Sequence, residues 1–267
     1  MNMIRSYYLF TKELLHSKRT YGSLHSFVAD DCERVVSKLE HRYNSVFSWK
    51  KLPKFNTVLP FGTWLIDSVF PRPLYEENNC KLSSMLQDER FFTPPSSFHT
   101  KGTYHNFLGR MSRPRNLDGS KYIGFLDYML DRWKRGNHRS MPHYFFPVES
   151  PEWVFEELMR NPNQIKSGRT ALACVMNLSF RWDKKNERLV LSVILKHTQW
   201  HHTMGDFCGG ALIANAVTKE LRIVSPPAVN IFLTSASLDY QKEARQIVED
   251  MEGMSEMQPS AAMARVL

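Results

Sequence analysis

From residue 150 onward, the apolar positions fall into blocks whose period alternates between that of a helix and that of a strand. SPEWVFEELMRNP (150–162) has helical spacing. Ser150 can cap it, Pro151 sits at its first position with Glu152 alongside, and Asn161-Pro162 ends it. ALACVMNLSFRW (171–182) and RLVLSVILK (188–196) read as strands flanking the polar turn DKKNE, so a hairpin is predicted. DFCGGALIANAVTKELRI (206–223) predicts a buried helix lined with small residues and stopped ahead of Pro226-Pro227. AVNIFLTSASLDY (228–240) then predicts a strand that leads into an amphipathic helix, YQKEARQIVEDME (240–252). The remaining GMSEMQPSAAMARVL reads as a loose tail.

The first half carries fewer signals. SFVADDCERVVSKLEHRYNSVF (26–47) predicts an amphipathic helix opened by Asp30 or Asp31. Residues 52–120 mix Pro, Gly, Asn and Ser with aromatic residues, which predicts loop with short elements. SKYIGFLDYMLDRWKR (120–135) predicts another amphipathic helix, with Ser120 as cap and Gly136 as stop. The chain shows no internal repeat and no long low-complexity linker.

Composition narrows the class. A chain of 267 residues with 42% hydrophobic and 23% charged content is expected to fold around a sizeable core. No apolar run reaches the roughly 18–20 residues that span a bilayer, so no membrane partner is expected. The opening MNMIRSYYLFTKELLHSKRT lacks an apolar leader core and a small-residue cleavage site, so the cytoplasm is the expected compartment. Cys32, Cys80, Cys174 and Cys208 form no CxxC pair and fit a reduced environment. The net charge of +8 gathers in SWKKLPK (48–54), GRMSRPR (109–115) and DRWKRGNHR (131–139). Such patches are ordinary solvated surface, or they attract phosphates and nucleic acid.

Candidate chemistry concentrates in HTQWHHTMGDFCGG (197–210). His197, His201, His202, Asp206 and Cys208 are all metal-ligand types, and a metal-dependent enzyme is one reading. Against it, the HExxH pattern is absent, the segment follows a strand, and Gly205 interrupts a regular helix. A substrate loop between the strand and the helix starting at Asp206 accounts for the segment better.

The order of elements from about 152 to 245, with FEELMRNP, ALAC, the hairpin, the loop and ALIANAVTKELRI, resembles the thymidylate synthase superfamily, including its pyrimidine nucleotide hydroxymethylases. The resemblance implies an α/β (α+β) fold: a thymidylate-synthase-like mixed sheet with packed helices and a loop-rich N-terminal region. It implies a single domain over 1–267, recognisable over about 150–252 and divergent over 1–120. Cys174 takes the position of the family's nucleophile, and Asp206 that of its base-reading residue. Lys166, Arg169, Lys196, His197 and Thr198 fall where phosphate ligands are expected; Ser237, Asp239 and Tyr240 fall on the family's His-x-Tyr strand. The departures are substantial: Asn163-Gln164 replaces the arginine pair, His197-Thr198 replaces Arg-Ser, and Val175 follows the cysteine in place of His.

The implied activity is transfer of a one-carbon unit to C5 of a pyrimidine nucleotide, with 5,10-methylenetetrahydrofolate as donor and a homodimer as the working unit. Hydroxymethylation is favoured over methylation. An ionised carboxylate at Asp206 only accepts hydrogen bonds, which favours the amine of cytosine, although Asp206 would serve equally as a helix cap. Cys174 would be the covalent catalyst, or else a small core residue. A non-catalytic protein of the same fold, binding nucleic acid or a protein partner, is the other reading.

Overall fold

The computed structural model describes residues 1–47, 59–88, 125–135, 144–147 and 175–254. Eight helices lie among them: α1 (Met3–Ser17), α2 (Cys32–Val46), α3 (Phe61–Val69), α4 (Arg72–Glu77), α5 (Leu82–Gln87), α6 (Phe125–Arg135), α7 (Trp200–Glu220) and α8 (Gln241–Glu252). Five strands, β1 (Arg19–Val28), β2 (Tyr144–Pro147), β3 (Val175–Asp183), β4 (Arg188–Gln199) and β5 (Ala228–Ser237), form one sheet in the order β1-β5-β4-β3-β2. β4 and β5 run parallel and every other pair is antiparallel, so the sheet is mixed. The parallel pair needs a crossover, and α7 supplies it.

The predicted hairpin is present. Asp183 forms its turn by accepting from the backbone N–H groups of Lys185 and Asn186 at 3.1 and 3.3 Å. The predicted helix over 150–162 and the tail beyond 254 lie outside the described residues. Within 26–47, residues 26–28 finish β1, and the helix opens only at Cys32. Asp31 adopts a left-handed conformation (φ 47°) and makes no side-chain cap; its carboxylate pairs with Arg34. At the N-terminus, residues predicted as no element form α1 and β1. Ile4, Tyr7, Phe10, Thr11 and Leu14 of α1 are buried, and Asn2 caps it by accepting from the Arg5 N–H at 2.9 Å.

The largest correction concerns α7. It begins at Trp200, six residues before Asp206, directly after β4. No loop separates strand from helix. Trp200, Met204, Phe207, Cys208 and Ala211 repeat at helical spacing and are all fully buried, and this apolar stripe outweighs the helix cost of Gly205. Gly205 serves the packing: a Cβ there would stand 2.8 Å from the Leu65 carbonyl oxygen. Around α3, Arg72 donates to Glu40 at 2.6 and 2.8 Å and to Asp67 at 2.6 Å, tying α2, α3 and α4 together.

The helices pack on one sheet face. A Cβ at Gly210 of α7 would make ordinary contact with Val229 and Val193, at 3.6 and 3.7 Å. Phe207 of α7 stacks on Phe27 of β1 (5.8 Å) and approaches His25 (5.9 Å). On the opposite face the directly paired Leu24, Phe232 and Ile194 form an apolar row, with Leu24 62% exposed. Among the described residues, no helix is long and apolar enough to cross a membrane.

His25 makes this core sensitive to acid. It is buried against Phe10 and Phe207, and its Nε2 has no hydrogen-bond partner among the described residues. Burial lowers its pKa, and Glu13 offsets this only in part. The native state therefore keeps His25 neutral at pH values where the unfolded chain, with a pKa near 6.5, binds a proton. The contribution is fully present above about pH 6.5 and is lost as pH falls toward the lower folded pKa. Thermal melts of the wild type and His25→Phe between pH 7.5 and 5 should show a shallower decline for the variant; parallel curves would refute the assignment.

Candidate functional site

The parallel pair β4–β5 ends at one edge of the sheet, and several predicted site residues meet there. The register places His197 opposite Ser235 and Gln199 opposite Ser237. The His197 ring spans the two serines, with Nδ1 2.9 Å from Ser235 Oγ and Nε2 3.2 Å from Ser237 Oγ. Just beyond β5, Asp239 reaches the first turn of α7. It accepts from the His201 N–H at 3.2 Å and pairs through its other oxygen with His201 Nδ1. Gln199 supplies no side-chain cap to α7, so Asp239 does that work from another element.

Aromatic rings enclose His201. Phe61 lies stacked at 5.9 Å, Tyr240 meets it edge-on at 5.1 Å, and the His202 ring is 4.0 Å away. Tyr240 also meets Phe47 edge-on at 5.7 Å. Tyr240 is held in a left-handed conformation (φ 46°) at the start of α8, a conformation rare for a bulky residue. It is the most exposed ring of the group. The edge thus offers hydroxyls, an imidazole spanning two of them, a carboxylate, and a partly exposed aromatic surface. Ligands of open α/β sheets bind in this kind of place, outside the carboxyl ends of parallel strands.

Of the residues the sequence offers for the nucleotide site, His197, His201, Ser237, Asp239 and Tyr240 gather at this edge, joined by Ser235 and Phe61, which the sequence reading did not assign to it. Lys196 precedes His197 on β4. Thr198 is 2% exposed, and its hydroxyl lies 3.4 Å from the Gln199 carbonyl, so it faces inward while His197 faces out. Asp206 does not begin a helix; it is buried in the second turn of α7 and cannot be an N-cap. Cys174, Lys166 and Arg169 lie outside the described residues; Cys174 immediately precedes in sequence Val175, which pairs with Leu195.

The metal reading does not survive the geometry. His197 engages serines, His201 engages Asp239, and Cys208 is fully buried with its thiol 3.6 Å from the Met204 sulfur. No group of three or more His, Cys, Asp or Glu among the described residues could hold a metal ion. The thiols divide as well. Burial pushes Cys208 well above its usual pKa and Cys32 up to about 12, so both stay protonated at neutral pH. Cys80 is exposed, and no disulfide joins it to Cys32 or Cys208. Of the basic patches, only Arg132, Lys134 and Arg135 are described; they occupy the last turn of α6, where cations offset the helix dipole.

No family model and no curated protein matches the sequence. The structure is similar to that of thermostable thymidylate synthase A from Bacillus subtilis. The TM-score is 0.50 at 11% identity, covering 94% of this chain and 84% of that one. At such low identity the likeness speaks for architecture alone, and on it the chain has a thymidylate-synthase-like α/β fold.

Proposed function

We propose that the protein transfers a one-carbon unit to C5 of a pyrimidine nucleotide, with the edge of β4 and β5 as its nucleotide site. The observation that carries this reading is the cluster His197, Ser235, Ser237, His201 and Asp239, assembled at the strand ends of a thymidylate-synthase-like sheet. Ser237 and Asp239 suit the hydroxyls of a sugar. A phosphate is better placed away from Asp239, whose charge already occupies the N-terminus of α7. Lys166, Arg169, Lys196 and His197 would bind it. Asp206, a buried carboxylate, would accept from the amine of cytosine.

Cys174 would be the nucleophile on its resemblance to the family's cysteine position, and Cys32 and Cys208, buried and protonated, do not compete for the role. The exposed Tyr240 ring beside His201 suits a planar heteroaromatic ring, so a folate would stack here. When bound, methylenetetrahydrofolate supplies the one-carbon unit. The apolar row Leu24, Phe232 and Ile194 on the sheet face opposite the helices supports a homodimer formed face to face, in which Lys166 or Arg169 would serve the partner's site. Hydroxymethylation of cytidylate is the preferred version of the reaction.

A thermal-shift series on the full chain tests the reading. Deoxycytidine and deoxyuridine monophosphates, their nucleosides and a purine control are each added with and without folate. The pyrimidine nucleotide should raise the midpoint; at a hundredfold excess over Kd the stabilisation is about 2.7 kcal/mol. Asp239→Asn keeps an oxygen to cap α7 but loses the charge, and should reduce the rise at fixed ligand. If neither nucleotide moves the midpoint, the enzyme reading fails and a binding role for the fold gains.

A further inference from the structure

The opposite end of α7 carries a second concave site. α7 has 21 residues, so its C-terminus lies about 30 Å from the His201 edge. A cavity of about 690 Å³ opens there, walled by Trp133, Ser83, the Glu220 carboxylate and four cations, Lys81, Lys134, Lys219 and Arg222. That volume lies within the range of small-molecule pockets and well above what a lone ion fills.

The cations are not equivalent. Lys134 is paired with Glu220, and Lys219 with Glu33 at 2.6 Å. These two sit in the last turns of α6 and α7, where they also offset helix carbonyl ends. Glu220 is fully engaged: besides Lys134 it accepts from Ser83 Oγ at 2.7 Å and from the Leu82 N–H at 2.9 Å. Lys81 and Arg222 have no side-chain partner among the described residues, and both are exposed.

Arg222 is also out of place by local rules. The Ile223 N–H bonds to the Thr218 carbonyl and the Arg222 N–H to the Lys219 carbonyl, each at 3.0 Å, which is the Schellman closure of a helix. Arg222 holds the left-handed position of that motif (φ 56°), which favours glycine. The adjoining wall is built the same way: Cys80 and Asn79 close α4 through bonds to the Tyr75 and Glu76 carbonyls, with φ of 54° and 56°. An arginine at a glycine position and a neighbouring lysine with no counterion among the described residues both line one cavity.

We infer that this cavity binds a polyphosphate-bearing anion of nucleotide size, gripped by the Arg222 guanidinium and the Lys81 ammonium, separately from the β4–β5 edge. A guanidinium fork matches two phosphate oxygens, and an ammonium adds a point charge. Isothermal titration of the full chain with pyrophosphate and with dATP tests this; a purine keeps the ligand away from a site built for pyrimidines. Both probes should bind, and the difference between them reads the contribution of the base. Arg222→Gly should weaken binding at least about tenfold while leaving the ligand-free melting midpoint equal or higher, because glycine suits the position. Lys81→Gln should weaken it similarly and flatten its salt dependence. Absence of binding, or binding unchanged in both variants, would overturn the inference.

Discussion

Gly209→Ala should destabilise the protein by about 2 kcal/mol or more, despite replacing glycine with the best helix former. A Cβ at Gly209 would stand 2.0 Å from Val69 Cγ1 and 2.4 Å from Val69 Cβ. Neither atom can move aside easily. Valine is branched at Cβ and stiff about χ1, and its Cβ moves only with the backbone of α3. Gly205, one turn earlier, faces the Leu65 backbone of the same helix at 2.8 Å. The two glycines, four residues apart, thus form a groove on α7 into which α3 fits. Alanine gains about 1 kcal/mol of helix propensity over glycine, and the overlap must exceed that. For a chain of this size the midpoint should fall by roughly 5 °C or more. Gly210→Ala is the control: its Cβ would meet Val229 and Val193 at 3.6 and 3.7 Å, ordinary contact distances, so it should be neutral or stabilising. The double variant Gly209→Ala with Val69→Ala should recover part of the loss, because the second change removes the obstructing atoms. Equal midpoints for the Gly209 and Gly210 variants would show that α3 is not seated in this groove. The consequence reaches function, since α3 carries Phe61 to its place against His201.

The same stretch explains what the sequence could and could not disclose. The hairpin, β5 and α8 were legible because their signals are local: a period of two, a polar turn, and an apolar stripe at helical spacing. The start of α7 was obscured by three histidines and Gly205, residue types common in loops. The apolar sequence Trp200, Met204, Phe207, Cys208 carried the contrary signal and prevailed, because burial of that stripe against α1, α2, α3 and the sheet outweighs propensity. α1 had an equally readable pattern in Ile4, Tyr7, Phe10, Thr11 and Leu14. The candidate site was half legible. Ser235, Ser237 and Asp239 alternate as a strand must to present one face. Their union with His197 and His201 depends on the parallel register of β4 and β5, an offset of 38 residues that no local pattern encodes. The pairing of Asp239 with the backbone and ring of His201 is a tertiary fact of the same kind. It corrects Asp206 as cap by supplying the true one.

Under the proposed one-carbon transfer, Cys174→Ala should reduce C5 hydrogen release from a pyrimidine nucleotide by about 10⁴-fold or more while leaving nucleotide binding nearly intact. The chemistry explains the size of the effect. C5 of a pyrimidine is a poor nucleophile until a bond forms at C6 and pushes electron density toward it. A thiolate can make that bond and later leave, and an alanine offers no substitute. A serine hydroxyl, far from ionised at neutral pH, should do little better, so Cys174→Ser is expected to fall nearly as far. The other thiols cannot stand in. Cys32 and Cys208 are buried and protonated, and Cys80 lies at the far end of α7. Tritium released to water from [5-³H]-labelled deoxycytidylate and deoxyuridylate, with folate present, measures the step, and a thermal shift with the same nucleotide reports binding separately. Retained binding with lost release would place Cys174 in the covalent step. Undiminished release from the alanine variant would refute the nucleophile, whatever the fold. Loss of both binding and release would show that Cys174 supports the site itself, as a packed core residue would. The two labelled substrates also examine Asp206, since Asp206→Asn should shift the preference from cytosine toward uracil, an asparagine amide being able to donate as well as accept.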